Sequence, residues 1–356
     1  MSIRIGNFTI DSHSRTFIIA ELSANHGHDI NIAKETIKAA KESGADAIKI
    51  QTYTADTLTI DCDNEYFKLD SGTIWDGRTL YDLYSEAYTP WEWQKELMVY
   101  ANNLGLIFFS TPFDKTAVDF LEELNVPVYK VASFEIMDIP LIEYIASKGK
   151  PIIMSTGIAT LSDIEEAINA CKRMGNDQII LLKCTSSYPA KIEDADLKTI
   201  PNMKETFDVE VGLSDHTLGI TVPVVAIALG AKVIEKHFIL DKSIGGPDAS
   251  FSLEPHEFKQ MVDSVRDAEK ALGKINYSMN EKKKKSRLLG RSLFVVKDIQ
   301  AGEKITEDNV RSIRPGNGLE PKYFDDIQGK TVATDLKIGT PMKWSLIIYK
   351  IQEGGK

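Results

Sequence analysis

The amino-terminal three quarters of the chain alternates short β-prone runs with longer segments of helical period, and this alternation limits the fold more than any other feature. The predicted strands are 17–22, 47–53, 107–111, 128–133, 151–156, 179–185, 209–216 and 232–238. The helical segments include 31–43, 91–104, 115–124, 161–174 and 221–229, and a long amphipathic segment at 254–272 closes the series. This alternation of β and α segments predicts a parallel sheet and the α/β class.

Two α/β architectures are compatible with this alternation, an open doubly wound sheet and a closed barrel. A doubly wound sheet usually has a glycine-rich phosphate loop after its first strand. Here the first strand runs into ELSANH at residues 21–26, which contains no glycine. Eight βα units within about 250 residues are typical of a closed barrel. The sequence therefore predicts a (β/α)8 TIM barrel.

The composition changes after about residue 275. Residues 276–290 are polar and basic, and they are predicted to be a linker. Residues 291–356 contain short β-prone runs broken by turn signals, and they are predicted to form a small β domain. A domain of about 65 residues is near the lower limit for independent stability, so we expect it to dock against another surface. The predicted barrel domain is then residues 1–275.

Charge and cysteine content exclude several classes of protein. The formal net charge of −10 argues against general nucleic-acid binding, and the basic run KKKKSR at 282–287 is interpreted as a solvated linker. The amino terminus lacks a signal-peptide pattern, and no window approaches the roughly 18 apolar residues of a membrane span. Cys62, Cys171 and Cys184 have no metal-type spacing and are odd in number. These features predict a cytoplasmic protein with reduced thiols.

Polar or charged side chains lie at the carboxyl ends of all eight predicted strands, where a barrel places its active site. In strand order they are Glu21; Lys49 and Gln51; Ser110 and Thr111; Lys130 and Ser133, with Glu135 just beyond; Ser155 and Thr156; Thr185 to Tyr188; Ser214, Asp215 and His216; and Glu235 and His237. A loop cap is the simpler explanation for any single Ser or Thr. The whole set indicates a functional site.

Lys49 and Lys130 stand inside otherwise apolar strands, where lysine is rare unless it is paired. Two ammonium groups with a ring of hydroxyls suit a small, highly charged anion, such as a phosphate with a nearby carboxylate. The alternative is that each lysine is paired with a neighbouring glutamate.

His216 and His237 end neighbouring predicted strands, so their imidazoles can converge on one metal ion. Two protein ligands leave coordination positions for water and substrate, as in catalytic sites. The alternative is a pair of satisfied core histidines. The carboxylates that are candidates to hold such waters or orient the imidazoles are Glu21, Glu235, Asp215 and Asp248. The histidines at 13, 26, 28 and 256 are interpreted as surface or loop residues.

Several segments of the chain resemble the sialic acid synthase family. In the barrel they are YKVAS, LKCTSSYP, GLSDH and EKHF, and in the small domain RSLFVVKDIQAGE and RPGNGLEPK resemble the antifreeze-like (SAF) domain of that family. The likeness covers nearly the whole chain in order. The segments AELSANH, KIQTYTADTLTID, WDGRTLYDLYSEAYTPWEW and GGPDASFSL are most similar to the branch that uses a 2,4-diacetamido-2,4,6-trideoxy hexose.

The resemblance implies a metal-dependent condensation of phosphoenolpyruvate with such a sugar, releasing phosphate. Mn²⁺ is the implied metal, with Mg²⁺ or Co²⁺ as substitutes, and His216 and His237 are the implied ligands. The implied phosphoenolpyruvate residues are Lys49, Thr111, Lys130, Ser133, Ser155, Ser186 and Ser214. The implied sugar residues are Gln51, Glu135, Tyr188, Asp248 and Arg314 of the partner subunit. Catalysis would rest on Glu21, as the group that activates water, with His216, His237 and Asp248.

A domain-swapped homodimer is also implied, and one departure from the family pattern is visible. Ser186 occupies a position that is Asn in sialic acid synthases, and the loop at 62–88 cannot be matched residue by residue. Synthases of sialic or legionaminic acid are alternatives with the same chemistry. An alternative of another class is a non-catalytic carbohydrate- or ice-binding protein.

Overall fold

The structure is a computed structural model that describes residues 2–70, 72 and 74–348. It divides into two compact units, residues 1–273 and residues 274–356. None of the helices in the described part of the chain combines the length and the apolar character that a membrane span requires.

The chain begins with a hairpin that the sequence did not predict. Strands β1 (Ile3–Ile5) and β2 (Phe8–Ile10) pair antiparallel, and Gly6 between them adopts a positive φ of 56°. A side chain at Gly6 would contact Ile107 and Pro127, near the amino ends of barrel strands, so the hairpin lies at the end opposite the predicted site. Its isoleucines are fully buried in the barrel core. Strands of three residues are too short to show a period.

Eight parallel strands close into a barrel in the first unit. They are β3 (Phe17–Glu21), β4 (Ala47–Thr52), β5 (Ile107–Pro112), β6 (Tyr129–Val131), β7 (Ile152–Ser155), β8 (Ile179–Cys184), β9 (Glu210–Asp215) and β10 (Val233–His237). Strands that are consecutive in sequence are neighbours in the barrel, and β10 pairs with β3. The predicted TIM barrel is confirmed, and every predicted strand is observed to within two residues.

The helices of the first unit follow the strands. They are α1 (Ile30–Glu42), α2 (Ala55–Leu58), α3 (Leu80–Ala87), α4 (Trp91–Asn103), α5 (Lys115–Glu123), α6 (Ile139–Ala146), α7 (Leu161–Arg173), α8 (Thr199–Phe207), α9 (Thr221–Ala228) and α10 (Pro255–Leu272). Asp29, Asp114 and Asp138 cap α1, α5 and α6 by accepting backbone N–H groups. Caps at these positions fix where each helix leaves the carboxyl end of its strand, and so fix the loops that surround the barrel mouth.

The second unit is small and has its own core. It contains α11 (Glu281–Arg287), β11 (Ser292–Val295), β12 (Val310–Ile313), α12 (Phe324–Ile327), β13 (Thr331–Val332) and β14 (Ile347–Ile348). Strands β11 and β12 pair antiparallel, as do β13 and β14. Its buried core includes Leu293, Val295, Ile305 and Met342. The basic run of the predicted linker forms helix α11, and all of its residues are exposed.

Candidate active site

Four charged side chains form a buried cluster at the carboxyl ends of β3, β4, β6 and β10. Lys49 Nζ lies 2.8 Å from Glu21 Oε2 and 3.9 Å from Glu235 Oε1, and Lys130 Nζ lies 3.4 Å from Glu235 Oε1. All four residues are at most 5% exposed. Both lysines are thus paired with glutamates, and this alternative from the sequence is confirmed. The pairing does not exclude anion binding, because both ammonium groups also reach hydroxyls.

Burial and neighbouring charges act differently on the two carboxyls of the cluster. Burial raises the pKa of Glu21 to about 7, against the opposing effect of the Lys49 charge. Burial acts in the same direction on Glu235, but Lys130 and Lys49 together outweigh it and lower the pKa of Glu235. Glu235 is therefore the permanent anion, whereas Glu21 can gain or lose a proton near neutral pH. That is the property required of a general acid or base.

Hydroxyls and backbone groups line the barrel beside Lys130. Lys130 Nζ donates to Ser155 Oγ at 2.8 Å. Ser133 Oγ accepts from Ser186 Oγ at 2.8 Å and from the backbone N–H of Ile158 at 3.1 Å. A Cβ at Gly157 would lie 2.3 Å from Ser186 Oγ, so only glycine allows the backbone to approach these hydroxyls. We call Lys130, the hydroxyls of Ser133, Ser155 and Ser186, and the N–H of Ile158 the oxyanion cradle, because donors of this kind suit an anion.

The hydroxyls of Thr111 and Ser214, which are also expected to bind phosphoenolpyruvate, lie in the same barrel interior. Lys49 Nζ donates to Thr111 Oγ1 at 3.2 Å, and Ser214 Oγ donates to Glu235 Oε1 at 3.2 Å. Five of the seven residues expected to bind phosphoenolpyruvate therefore belong to one network through Glu235, namely Lys49, Thr111, Lys130, Ser155 and Ser214. Ser133 and Ser186 form a separate hydrogen-bonded pair. Gly157 and the N–H of Ile158 lie beside this pair, and sequence reasoning missed them, although a glycine directly after a strand end was a usable signal.

His216 and His237 lie side by side, with ring centroids 5.3 Å apart. His216 Nδ1 is 3.0 Å from the carbonyl oxygen of Thr185, which therefore fixes the orientation of that ring. Burial first, and then the charges of His216 and Lys49, hold the pKa of His237 well below its usual range. His237 Nδ1 is buried without a hydrogen-bond partner among the described residues. A neutral imidazole with an unused nitrogen is the form that binds a metal.

Burial also lowers the pKa of His216, but contacts with Cys184 and the Thr185 carbonyl outweigh it and raise that pKa. A cation bound to the His216 ring would compete with a proton for the same nitrogen and so act against this rise in pKa. Among residues 2–70, 72 and 74–348, no group of three or more His, Cys, Asp or Glu side chains is arranged to hold a metal ion. The residues present fit an ion held by two imidazoles and completed by water or substrate.

The residues expected to face the sugar border the same cluster. Gln51 Nε2 donates to Glu21 Oε1 at 3.1 Å and to Ser23 Oγ at 3.0 Å. Asp248 Oδ2 is 3.8 Å from His237 Nδ1. Burial raises the pKa of Asp248, and it raises the pKa of Glu135 to about 7. Glu135 Oε2 is buried with no hydrogen-bond partner within the described part of the chain, so it is available to a ligand.

Tyr188 packs on His216 with ring centroids 4.5 Å apart. Tyr188 therefore also lies beside the cluster. Arg314 differs from the other expected sugar residues because it lies in the second unit, directly after β12.

Asp215 does not join the site, and the expectation that it holds metal-bound water or orients an imidazole is wrong. Its carboxylate accepts from the ammonium of the fully buried Lys236 and from Thr217. Successive residues of a strand point to opposite faces, so Ser214 faces the barrel interior and Asp215 faces the helices. Lys236, which lies next to Glu235, is directed outward for the same reason.

The fold and site define a TIM barrel whose strand ends hold two lysines, two glutamates and two histidines around one interior. Residues 36–277 match the NeuB family and residues 290–348 match the SAF domain, and the chain belongs to the NeuB family.

Named relatives cover nearly the full length of the chain. It is 50% identical to pseudaminic acid synthase of Campylobacter jejuni, over 96% of this chain and 98% of that protein. It is 49% identical to pseudaminic acid synthase of Helicobacter pylori, over 91% and 96%. The crystal structure of N-acetylneuraminic acid (sialic acid) synthetase from Leptospira borgpetersenii, in complex with citrate, matches with a TM-score of 0.72 at 32% identity, over 80% of this chain and 95% of that one. The sequence-based assignment to the sialic acid synthase family is confirmed.

Proposed function

We propose that this chain is a pseudaminic acid synthase. It condenses phosphoenolpyruvate with 2,4-diacetamido-2,4,6-trideoxy-L-altropyranose and water, giving pseudaminic acid and phosphate, and it is a transferase. The main support for this proposal is the 50% identity, over nearly the full chain, to a protein of that name. The buried Lys, Glu and His set at the strand ends supports the same conclusion, because it supplies the charges that this chemistry needs.

Phosphoenolpyruvate binds in the oxyanion cradle and along the two lysines. Lys130, Ser155, Ser133 and Ser186 hold its phosphate, and Lys49, Thr111 and Ser214 hold the rest of the molecule. The cluster of two lysines and two glutamates is formally neutral without ligand. A multiply charged anion entering it raises the proton affinity of nearby carboxyls. Glu21, with a pKa of about 7, is the group that can respond.

His216 and His237 hold the divalent metal, with Mn²⁺ as our choice and Mg²⁺ or Co²⁺ as substitutes. When bound, such an ion supplies Lewis-acid polarisation of the sugar aldehyde. The chain keeps the His237 imidazole neutral by burial, and the Thr185 carbonyl orients the His216 ring.

The reaction forms one carbon–carbon bond and breaks one carbon–oxygen bond. The methylene carbon of phosphoenolpyruvate bonds to the aldehyde carbon, and water adds to the carbon that carries the phosphate. Glu21 accepts the first proton that this water loses, and this balances the proton that the aldehyde oxygen gains as it becomes a hydroxyl. The tetrahedral centre then becomes a ketone: its new hydroxyl gives its proton to the departing phosphate, which leaves with the bridging oxygen. With ¹⁸O in that bridge, we expect the label in inorganic phosphate, and label in the sugar acid would contradict the scheme.

Gln51, Glu135, Tyr188 and Asp248 contact the sugar. Arg314 reaches the site from a second copy of the chain, in a domain-swapped homodimer, where its guanidinium donates to an acetamido oxygen. In this arrangement residues 1–275 are the catalytic domain and residues 276–290 connect it to the SAF domain at 291–356.

The test is phosphate release from phosphoenolpyruvate with three sugars in parallel, the substrates expected for pseudaminic, legionaminic and sialic acid synthases. We expect release with the first sugar at a kcat/KM at least tenfold above the others. Preference for another sugar replaces the proposed substrate. No release with any of them, by folded and metal-loaded protein, favours a non-catalytic carbohydrate-binding protein. Lys130→Met is the matched inactive control, because it removes the ammonium from the cradle at nearly constant volume.

A further inference from the structure

Trp75 connects three loops at the carboxyl end of the barrel. It lies in the segment between α2 and α3, within the loop that the sequence could not match. Its indole N–H donates to the carbonyl of Pro247, which follows β10, at 2.9 Å. Its ring centroid lies 5.3 Å from that of Tyr188, which follows β8. The loop after β4 is thereby held against the mouth of the barrel.

Trp75 is the outer end of a chain of aromatic rings that reaches the two histidines. Tyr188 lies 4.5 Å from His216, and Phe251 lies 5.3 Å from Tyr188 and 4.9 Å from His237, measured between ring centroids. We call Trp75, Tyr188, His216, His237 and Phe251 the aromatic wall. Trp75 is partly exposed, whereas His216 and His237 are buried. The wall therefore runs from the barrel interior to its rim.

Lys130 of the cradle and His237 of the aromatic wall lie on opposite sides of the barrel, because β6 is four strands from β10 in either direction around the ring of eight. The cradle and the wall meet at the loop after β8, which carries both Ser186 and Tyr188. A ligand that reaches from Lys130 to His237 must therefore cross the barrel mouth. An open-chain sugar whose aldehyde carbon meets phosphoenolpyruvate in the interior has its opposite end, carbon six, toward the rim.

The indole offers this end of the sugar an apolar surface, because its single polar hydrogen is donated to Pro247. A methyl group gains contact with such a surface, whereas a hydroxyl loses water without gaining a hydrogen bond. We infer that Trp75 is a specificity-determining residue that packs against the methyl group of a 6-deoxy sugar and disfavours a hydroxyl at carbon six. The inference rests on the proposed function, and it assigns a role within the loop at 62–88.

Two substitutions separate the ring of Trp75 from its hydrogen bond. Trp75→Phe keeps an apolar ring and loses the donor to Pro247, whereas Trp75→Gln keeps a donor and loses the ring. Each variant is assayed with the 2,4-diacetamido-2,4,6-trideoxy sugar and with its counterpart that has a hydroxyl at carbon six. The selectivity is the kcat/KM for the deoxy sugar divided by the kcat/KM for the sugar with a hydroxyl at carbon six. We expect this ratio to stay within about threefold of wild type in the Phe variant and to fall about tenfold in the Gln variant. The KM for phosphoenolpyruvate should not change, and Trp93→Phe on α4 is the matched control.

Each outcome decides one question. A wild-type protein that uses neither sugar contradicts the proposed function, before any variant is compared. A wild-type protein that uses the deoxy sugar, with an unchanged ratio in Trp75→Gln, contradicts only the role of Trp75. A ratio that falls in Trp75→Phe also overturns it, because selectivity would then follow the bond to Pro247, next to Asp248. Thermal melting confirms folding, and if the Gln variant does not fold, Trp75→Ala, which also removes the ring, takes its place with the same expected fall in the ratio.

Discussion

His26 is fully buried in the loop that follows β3, and its protonation should destabilise the barrel. Burial is the main reason that its pKa falls from 6.5 to about 4. Nδ1 accepts the backbone N–H of His28 at 3.1 Å, so the ring proton is on Nε2, 3.3 Å from Thr89 Oγ1. A second proton would have to displace the His28 N–H bond. The folded protein therefore keeps His26 neutral at pH values where the unfolded chain protonates it.

The sign and size of the effect follow from these two pKa values. Below pH 6.5 the unfolded state gains a proton that the native state does not take up until about pH 4, so stability falls as pH falls through that window. The largest contribution is about 3 kcal/mol, since one pKa unit is worth about 1.4 kcal/mol. Between about pH 7.5 and about pH 5.5 the loss due to His26 is about 1.4 kcal/mol.

The measurement is the free energy of unfolding in urea at these two pH values. Wild type should lose about 1.4 kcal/mol more than His26→Gln, whose amide can accept from His28 and donate to Thr89 without titrating. His13→Gln, which changes an exposed histidine, is the matched control and should behave as wild type. An NMR titration of the ring carbons assigns the pKa of His26 directly. If His26 titrates near pH 6.5, or if His26→Gln loses as much stability as wild type, the argument from burial is wrong.

Three further predictions concern the active site. Chelation should abolish phosphate release, and Mn²⁺ should restore it. His237→Ala should lower kcat/KM on the order of a thousandfold. Full turnover by protein that elemental analysis shows to lack metal would contradict this prediction. Gly157→Ala places a Cβ 2.3 Å from Ser186 Oγ and 2.8 Å from Ser133 Oγ. The KM for phosphoenolpyruvate should therefore rise about tenfold, while the sugar KM changes little. An unchanged KM for phosphoenolpyruvate would show that the cradle does not bind it. Arg314→Ala should raise the sugar KM, and mixing it with His237→Ala should recover part of the activity as subunits exchange; exchange seen by mass spectrometry without recovery would refute a shared site.

The barrel was predictable because its strands are buried on both faces and bounded by turn signals. A run such as 179–182 is apolar throughout, and its short length favours a strand over a helix. The amino-terminal hairpin was not predictable in this way. Its residues alternate over only three positions in each strand, and its burial depends on contacts with residues about one hundred positions away, such as Ile107.

The site was predictable to the extent that strand ends and strand parity determine it. Parity alone places Ser214 inside and Asp215 outside, so the error at Asp215 was avoidable from the sequence. Which glutamate pairs with Lys130 was not readable, because that depends on β6 and β10 facing each other across a closed ring. Trp75 had no readable signal, since it lies between short helices in a loop without a period.

The buried cluster also indicates why these residues are present at all. Removing Lys49, Lys130, Glu21 and Glu235 from water costs free energy, and well-packed apolar residues would often fill the same interior with equal or better stability. The pairs leave one carboxylate oxygen of Glu235 buried and without a hydrogen-bond partner among the described residues, so the described side chains do not satisfy that oxygen. Nδ1 of His237 adds a second buried acceptor without a partner among the described residues. A bound cation supplies the positive charge that these acceptors lack, and a bound anion accepts hydrogen bonds from the ammonium and hydroxyl groups of the cradle. This is the arrangement expected of an interior shaped by its substrates rather than by folding alone.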